Sequence, residues 1–177
     1  MMEPTSALSL IFSGDPALMG VVRLSLVVSV TATLFAGVIG FALGALVALT
    51  RFPGRSALVV ALNAMMGLPP VVVGLLVYLL LSRSGPLGSF GILFTPQAMI
   101  IAQTLLIAPI IAGLSRQVIE DLWRDYRDEF TAMGVSASRR VRALLWDARF
   151  SLVTILLAGF GRAAAEVGAV MIVGGNI

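Results

Sequence analysis

The chain contains no cysteine, no histidine and no lysine. Without cysteine there can be no disulfide, thiolate nucleophile or cysteine-ligated metal. Without histidine the usual general base and the commonest metal ligand are missing too. All 12 basic residues are arginine, so a GxxxxGK[ST] phosphate loop cannot exist, and any ATP hydrolysis belongs to another chain. Charge of either sign is scarce: 12% of the 177 residues are charged and 59% are hydrophobic, too little charge to cover a water-soluble domain. From this inventory no metal site and no bound cofactor are expected. An intramembrane enzyme would need a histidine, a cysteine, paired carboxylates or a serine beside a base; the sequence assembles none of these.

What is abundant is uninterrupted apolar sequence. Leu24 to Thr50 carries no charge. At about 1.5 Å per residue it reaches roughly 40 Å, enough to cross a ~30 Å hydrocarbon core with tilt. It starts too far from the N-terminus and is too long for a signal-peptide core. A second run, 57–81, contains Gly67-Leu68-Pro69-Pro70, where proline cannot donate to a helix ladder. A kink at that depth needs neighbouring protein to satisfy the freed carbonyls, so this span should face protein. A third, 97–114, follows the turn-rich Ser84–Gly88 and Thr95-Pro96 and carries Pro109 near its far end. A fourth, 150–172, includes Arg162 and Glu166. The expected fold is an all-α, polytopic membrane helical bundle in one domain, 1–177. The fourth run ends close to Gly174-Gly175-Asn176-Ile177 without a polar tail, and we expect a C-terminally incomplete chain with at least one further span. A genuine four-span protein is the alternative.

Loop charges give a direction. Arg51–Arg55 holds two arginines and no acid, and the loop 115–149 holds seven arginines. The N-terminal stretch has Glu3 and Asp15 against Arg23, and the loop between the second and third runs has Arg83 alone. Both arginine-rich loops fall on one side, which places them in the cytoplasm and the N-terminus outside. The net charge of +3 is thus read as membrane orientation, with no nucleic-acid partner.

The loop 115–149 concentrates 13 of the chain's 21 charged residues. From Gln117 to Met133 the residues Val118, Leu122, Tyr126 and Phe130 recur at helical spacing, with Ile119, Trp123 and Met133 beside them. Gly134 suits the left-handed residue that ends a helix, and Val135 the apolar residue after it. Ser136 or Ser138 can cap a second helix running to Arg149, with Val141, Leu144, Leu145 and Ala148 inward and Arg139, Arg140 and Arg142 wet. Such a hairpin can grip a soluble partner or lie on lipid headgroups. Its six interleaved acids would be repelled by an anionic leaflet, which favours the protein partner.

Arg162 and Glu166 are four apart and within pairing reach on one helical face. Intramembrane charges tend to face protein or water and to mark pathways. Two readings stand: Arg162 lends positive potential to a path with Glu166 restraining it, or the two form a structural pair near the cytoplasmic end. Pro69 and Pro70 likewise could line a path or only kink the helix. Gly37, Gly40 and Gly44 allow another helix to approach closely, within the chain or across a homodimer seam. Asn63 and Gln103 are the other intramembrane polar side chains of interest.

Asp128-Glu129-Phe130-Thr131-Ala132-Met133-Gly134 resembles the EAA loop, E-A-A-x-x-x-G, of ABC importer permeases. Asp128 takes the place of the family's glutamate, Gly134 that of its glycine and Leu144 that of its later apolar position. Glu129 and Phe130 replace two alanines, and Trp146-Asp147 stands where Leu-Pro is usual. Gly67–Leu75, Leu81–Gly88, Ala148–Phe150 and Gly159–Met171 with Gly174-Gly175-Asn176 resemble the tungstate-type branch, related to molybdate and sulfate permeases. The resemblance covers nearly everything from Leu24 onward. It implies a type I permease subunit in a bacterial or archaeal cell membrane, working as a homodimer for an inorganic oxyanion, with no enzymatic activity of its own. It also implies a cytoplasmic ATPase subunit carrying the ATP and an extracytoplasmic binding protein. By the same resemblance, Asp128, Glu129, Phe130, Gly134 and Val135 would meet the ATPase, and Arg162, Glu166, Pro69 and Pro70 become candidates for the translocation path. A membrane anchor that recruits a cytoplasmic protein and moves nothing is the alternative from another class.

Overall fold

The computed structural model describes residues 15–175; Glu3, Asn176 and Ile177, used above, lie outside the described residues. Every regular element among the described residues is helical. Helix α1 (Pro16–Leu49) is followed by α2 (Arg55–Met66), α3 (Pro70–Leu81), a 3₁₀ turn (Gly88–Phe90) and α4 (Pro96–Ala132). The charged hairpin then supplies α5 (Ala137–Asp147), and α6 (Arg149–Ala164) and α7 (Gly168–Gly174) complete the order.

Helix α1 begins eight residues before the apolar run, because Asp15 accepts the Leu18 N–H at 3.1 Å and Pro16 occupies the first turn. Arg23 is therefore helical and not part of a polar leader. Two helices, Leu18–Leu49 and Pro96–Ala132, are long and apolar enough to cross a membrane. The number rises to four if each of two bent pairs counts as one span. One pair is α2 with α3, whose axes turn by 105°. Pro69 is extended (φ −62°, ψ 132°) and Pro70 sits in the first turn of α3, where its missing donor costs nothing. The prolines therefore start a new helix instead of kinking an old one.

The third run differs from expectation in a consequential way. It does not stop at Leu114 and restart at Gln117: α4 runs unbroken for 37 residues, with Pro109 inside it and buried. Leu114-Ser115-Arg116 contains no helix breaker, so the amphipathic stretch of the hairpin is a continuous extension of the apolar helix. The fourth run differs in the opposite sense. Helix α6 ends at Ala164, and Ala165-Glu166-Val167 separates it from the short α7.

Helix α4 is the axis of the molecule and touches every other helix, α2 included, through Gly113 beside Met66 and Arg55 on Glu120. The α1–α4 contact is the most extensive. A Cβ on Gly40 would lie 2.8 Å from Ile111, and one on Gly44 would lie 2.8 Å from the Ala112 carbonyl, so only glycine permits this approach. Gly37 faces Leu156 of α6. All three glycines are thus occupied within the chain, and the homodimer-seam reading of the stripe is corrected accordingly. One apolar cluster joins Val28, Val77, Ala98, Met99, Ala169 and Val173, and another joins Ala36, Ile107, Ile111, Ile155 and Ala163.

Candidate functional site

The hairpin is built on the last turns of α4. Trp123, Tyr126 and Phe130 share a face at helical spacing, and their rings meet: Trp123–Phe130 at 6.5 Å and Tyr126–Phe130 at 5.8 Å between centroids. The helix ends in a complete Schellman motif. Gly134 N–H donates to Thr131 O at 3.2 Å, Val135 N–H donates to Phe130 O at 3.1 Å, and Gly134 takes φ +60°. This is the turn that the glycine and the following valine predict.

Helix α5 then folds back with Leu144 and Ala148 buried and Val141 and Leu145 half-buried, as the spacing predicts. Two details differ. Ser136 stands at the N-cap but its side chain makes no capping bond. Arg140 is not a wet surface residue: its Nε donates to Val135 O at 2.6 Å and its guanidinium lies 6.0 Å from the Trp123 ring centre. Tyr126 donates from its hydroxyl to Asp147 Oδ2 at 3.1 Å, closing the hairpin from the other end. Tyr126 lies about three turns beyond the apolar 97–114 stretch. Its hydroxyl is raised above the ordinary tyrosine value, first by this hydrogen bond and then by the Asp147 charge.

Of the five residues assigned to a cytoplasmic partner, Asp128, Glu129 and Gly134 are exposed, whereas Phe130 and Val135 are half-buried and shape the turn from within. Met133 is 66% exposed and Trp146 70% exposed, two large apolar side chains standing on a charged protrusion. A cleft of about 310 Å³ between α4 and α5 is lined by Tyr126, Glu129, Phe130, Ala143, Trp146 and Asp147. Sequence reasoning assigned Trp146 no role except as a departure from the resemblance. Its signal was there: the apolar stripe of α5 does not include it, so it had to face outward.

The base of the hairpin is tied to the bundle. Glu120 receives Arg55 on one oxygen and Arg116 at 2.7 Å on the other, while Arg55 Nε donates to Val47 O at 2.8 Å. One carboxylate thereby joins the end of α1, the start of α2 and the middle of α4. No sequence spacing announced the Arg55–Glu120 contact, because its partners are 65 residues apart.

The apolar half of the molecule holds the second group of residues. Arg162 lies 13 residues beyond Arg149, roughly 20 Å along α6, so it is not near the arginine-rich end as the structural reading had it. Its Nη2 stands 3.6 Å from Glu166 Oε2. The pair is not on one continuous helical face, since Glu166 lies beyond the end of α6. The Glu166 side chain is 5% exposed and its Oε1 accepts the Ala169 N–H at 3.1 Å, which caps α7. Gln103, on α4, donates from Nε2 to Ala163 O at 3.1 Å, and its Oε1 is buried with no partner. Gln103 and Glu166 share a cleft of about 340 Å³ whose walls include Ser25, Met99, Val167 and Met171.

Pro69 and Pro70 are brought near this group. A Cβ on Gly168 would lie 3.2 Å from Val71 and 3.4 Å from Glu166 Oε1, so the start of α3 abuts the start of α7. The two helix breaks therefore oppose each other beside a buried carboxylate. No group of histidine, aspartate and glutamate side chains able to hold a metal occurs among the described residues.

Comparison with known proteins places this geometry. Residues 40–176 match the family described as binding-protein-dependent transport system inner membrane component. The chain is 42% identical over 160 residues to a probable anion ABC transporter permease protein of Haloferax volcanii, covering 90% of this chain and 69% of that one. It is 36% identical over 172 residues to the tungstate uptake system permease protein TupB of Peptoclostridium acidaminophilum, covering 97% and 75%. Similarity extends to the sulfate transport system permease protein CysT of Salmonella typhimurium, at 25% identity over 92% of this chain and 61% of that one. With an all-helical bundle, a glycine-turned charged hairpin and a match over most of its length, the chain belongs to the family of binding-protein-dependent transport system inner membrane components.

Proposed function

We propose that this chain is the membrane subunit of an ATP-driven importer for an inorganic oxyanion, with tungstate the first substrate to test. The observation that carries the reading is the continuity of α4, one unbroken helix from the apolar bundle to the tip of the exposed hairpin. A partner that seizes Met133, Trp146 and the acids Asp128 and Glu129 would move a lever whose other end lies beside Gln103 and the two helix breaks. The relatives named for tungstate, anion and sulfate permeases support the substrate class.

In this reading two copies enclose the path, with the hairpin in the cytoplasm and the N-terminus outside. ATP binds and is hydrolysed on a separate ATPase chain, and an extracytoplasmic binding protein delivers the anion. Closure of the ATPase pair draws the hairpins together and turns the cavity outward. Arg162, an exposed arginine far along α6, lends the path positive potential, because a 41% exposed guanidinium there would be costly against hydrocarbon. Glu166, held by the Ala169 N–H, limits how far that guanidinium can swing.

The test is ATP hydrolysis by the full complex reconstituted in lipid with its ATPase and binding protein, with tungstate, molybdate and sulfate titrated in turn. Half-maximal stimulation at the lowest concentration by tungstate is the expected result. Stimulation first by another oxyanion moves the substrate and leaves the importer. A chain that assembles with no ATPase returns the case to a membrane anchor. Gly134→Trp should leave assembly in the membrane intact and abolish anion stimulation; unchanged stimulation would remove the hairpin from the coupling role.

A further inference from the structure

Gln103 is the most buried uncharged amide of the bundle, 3% exposed on the inward face of α4. Its neighbours on α4 are apolar or small, and packing alone would favour a leucine there. Its hydrogen bond is directed to a special place. The Ala163 carbonyl lies in the last turn of α6, and it also accepts the Glu166 N–H at 3.1 Å, the short bond that begins the break. On the other side of the break, Glu166 Oε1 caps α7. The break is thus pinned by two side chains, and among the described residues Gln103 reaches it by a hydrogen bond from a different helix. The remaining oxygen of Gln103 is buried with no partner among the described residues, and Gln103 and Glu166 line the same cleft. One of its two N–H donors is used in this conformation, and the carbonyl oxygen is free for another one.

Helix α4 carries Gln103 and the hairpin on one unbroken element. Any displacement of the hairpin along or about the α4 axis must reach the Ala165–Val167 break through what α4 grips there. The contacts of α4 with the α6–α7 pair on either side of it, Ile107 beside Gly159 and Met99 beside Gly174, are apolar and can slide. A hydrogen bond of fixed length cannot.

We propose that Gln103 is a positioning residue for transport, the point at which movement of the hairpin is passed to the broken last helix pair. It holds the break through Ala163 O in the present state and exchanges that bond for one to its free Oε1 when the path turns. This rests on the importer reading above.

The experiment compares wild type, Gln103→Leu and Gln103→Glu in the full reconstituted complex, reading basal and oxyanion-stimulated ATP hydrolysis and co-elution with the ATPase. Leucine fills the site without a donor. It should retain assembly and basal hydrolysis and lose at least five-fold of the stimulation. Glutamate has the shape of glutamine and donates to Ala163 O only when protonated. Its stimulation should approach wild type at pH 6 and fall at least three-fold by pH 8.5, relative to wild type at each pH. A merely structural residue would lower basal and stimulated rates together and show no such pH rescue. If the leucine variant does not assemble, the glutamate profile decides. Wild-type stimulation in Gln103→Leu, or a glutamate profile parallel to wild type, overturns the proposal alone. A wild-type complex that no oxyanion stimulates overturns the importer reading and this inference with it.

Discussion

Between Met66 and Pro70, and again between Ala164 and Gly168, an apolar helix stops and another begins, yet the two interruptions have different origins. The first is written locally. Gly67 closes α2, Pro69 cannot precede another proline in helical geometry, and Pro70 is at ease only in a first turn. The second contains Ala163-Ala164-Ala165-Glu166, a sequence of good helix formers with no proline, and its glycine comes only after the break. What holds it is two side chains: an amide from α4, 60 residues away, on the Ala163 carbonyl, and a carboxylate turned onto the Ala169 N–H three residues on. A break encoded in the backbone is fixed, whereas one held by side chains can be made and unmade. That is the property a moving element needs.

Removing the side chains should therefore disturb the second break far more than editing the prolines disturbs the first. Glu166→Ala deletes the α7 cap and the partner of Arg162 together, and should lower stability by about 2–3 kcal/mol. Glu166→Gln keeps an acceptor for Ala169 and should lose less than half as much. Thermal unfolding in detergent by circular dichroism reads both; equal losses would mean that charge, not capping, holds the break.

Gly134 tests a third turn, also written locally. A Cβ there would meet nothing within 4 Å, so Gly134→Ala costs only the left-handed backbone, about 1 kcal/mol. Asparagine, which tolerates that conformation, should recover more than half of it. The same unfolding measurement checks this, and a loss much above 2 kcal/mol from alanine would point to packing around the turn that the open space denies.

The smallest effect belongs to Pro70→Ala. A first-turn proline donates nothing, and Gly67 and Pro69 remain to enforce the break, so the change should stay within about 0.5 kcal/mol. A distance between spin labels at Val60 and Leu79 should be unchanged. A clear lengthening would show that the first break depends on Pro70 alone, and the contrast between the two interruptions would narrow.

The hairpin was legible because its signals are local: a 3.6-residue apolar stripe, a glycine at its end and a valine after it. Its attachment was not. Separating 97–114 from 117–133 followed the change from apolar to charged residues, but helix continuity depends on backbone breakers and there are none at Leu114–Arg116. Treating 150–172 as one helix followed composition, and failed because the Gln103 contact, from 60 residues away, is invisible to any local rule. Arg162 was therefore placed too near the arginine-rich end, and its spacing to Glu166 was counted along a helix that stops short of it.

Composition and periodicity by themselves determined the class of this protein. Lacking lysine, histidine and cysteine and rich in apolar runs, it is a helical membrane bundle with its polar chemistry confined to one hairpin and a few buried side chains. Backbone-limited residues likewise determined the turns at Pro69-Pro70 and Gly134. Only the tertiary structure decided which helices continue, which glycines are used inside the chain and how Gln103, Arg162 and Glu166 meet. The reason is physical: turn and helix propensities act within a few residues, whereas a hydrogen bond from Gln103 to Ala163 joins positions 60 apart and exists only once the bundle has packed.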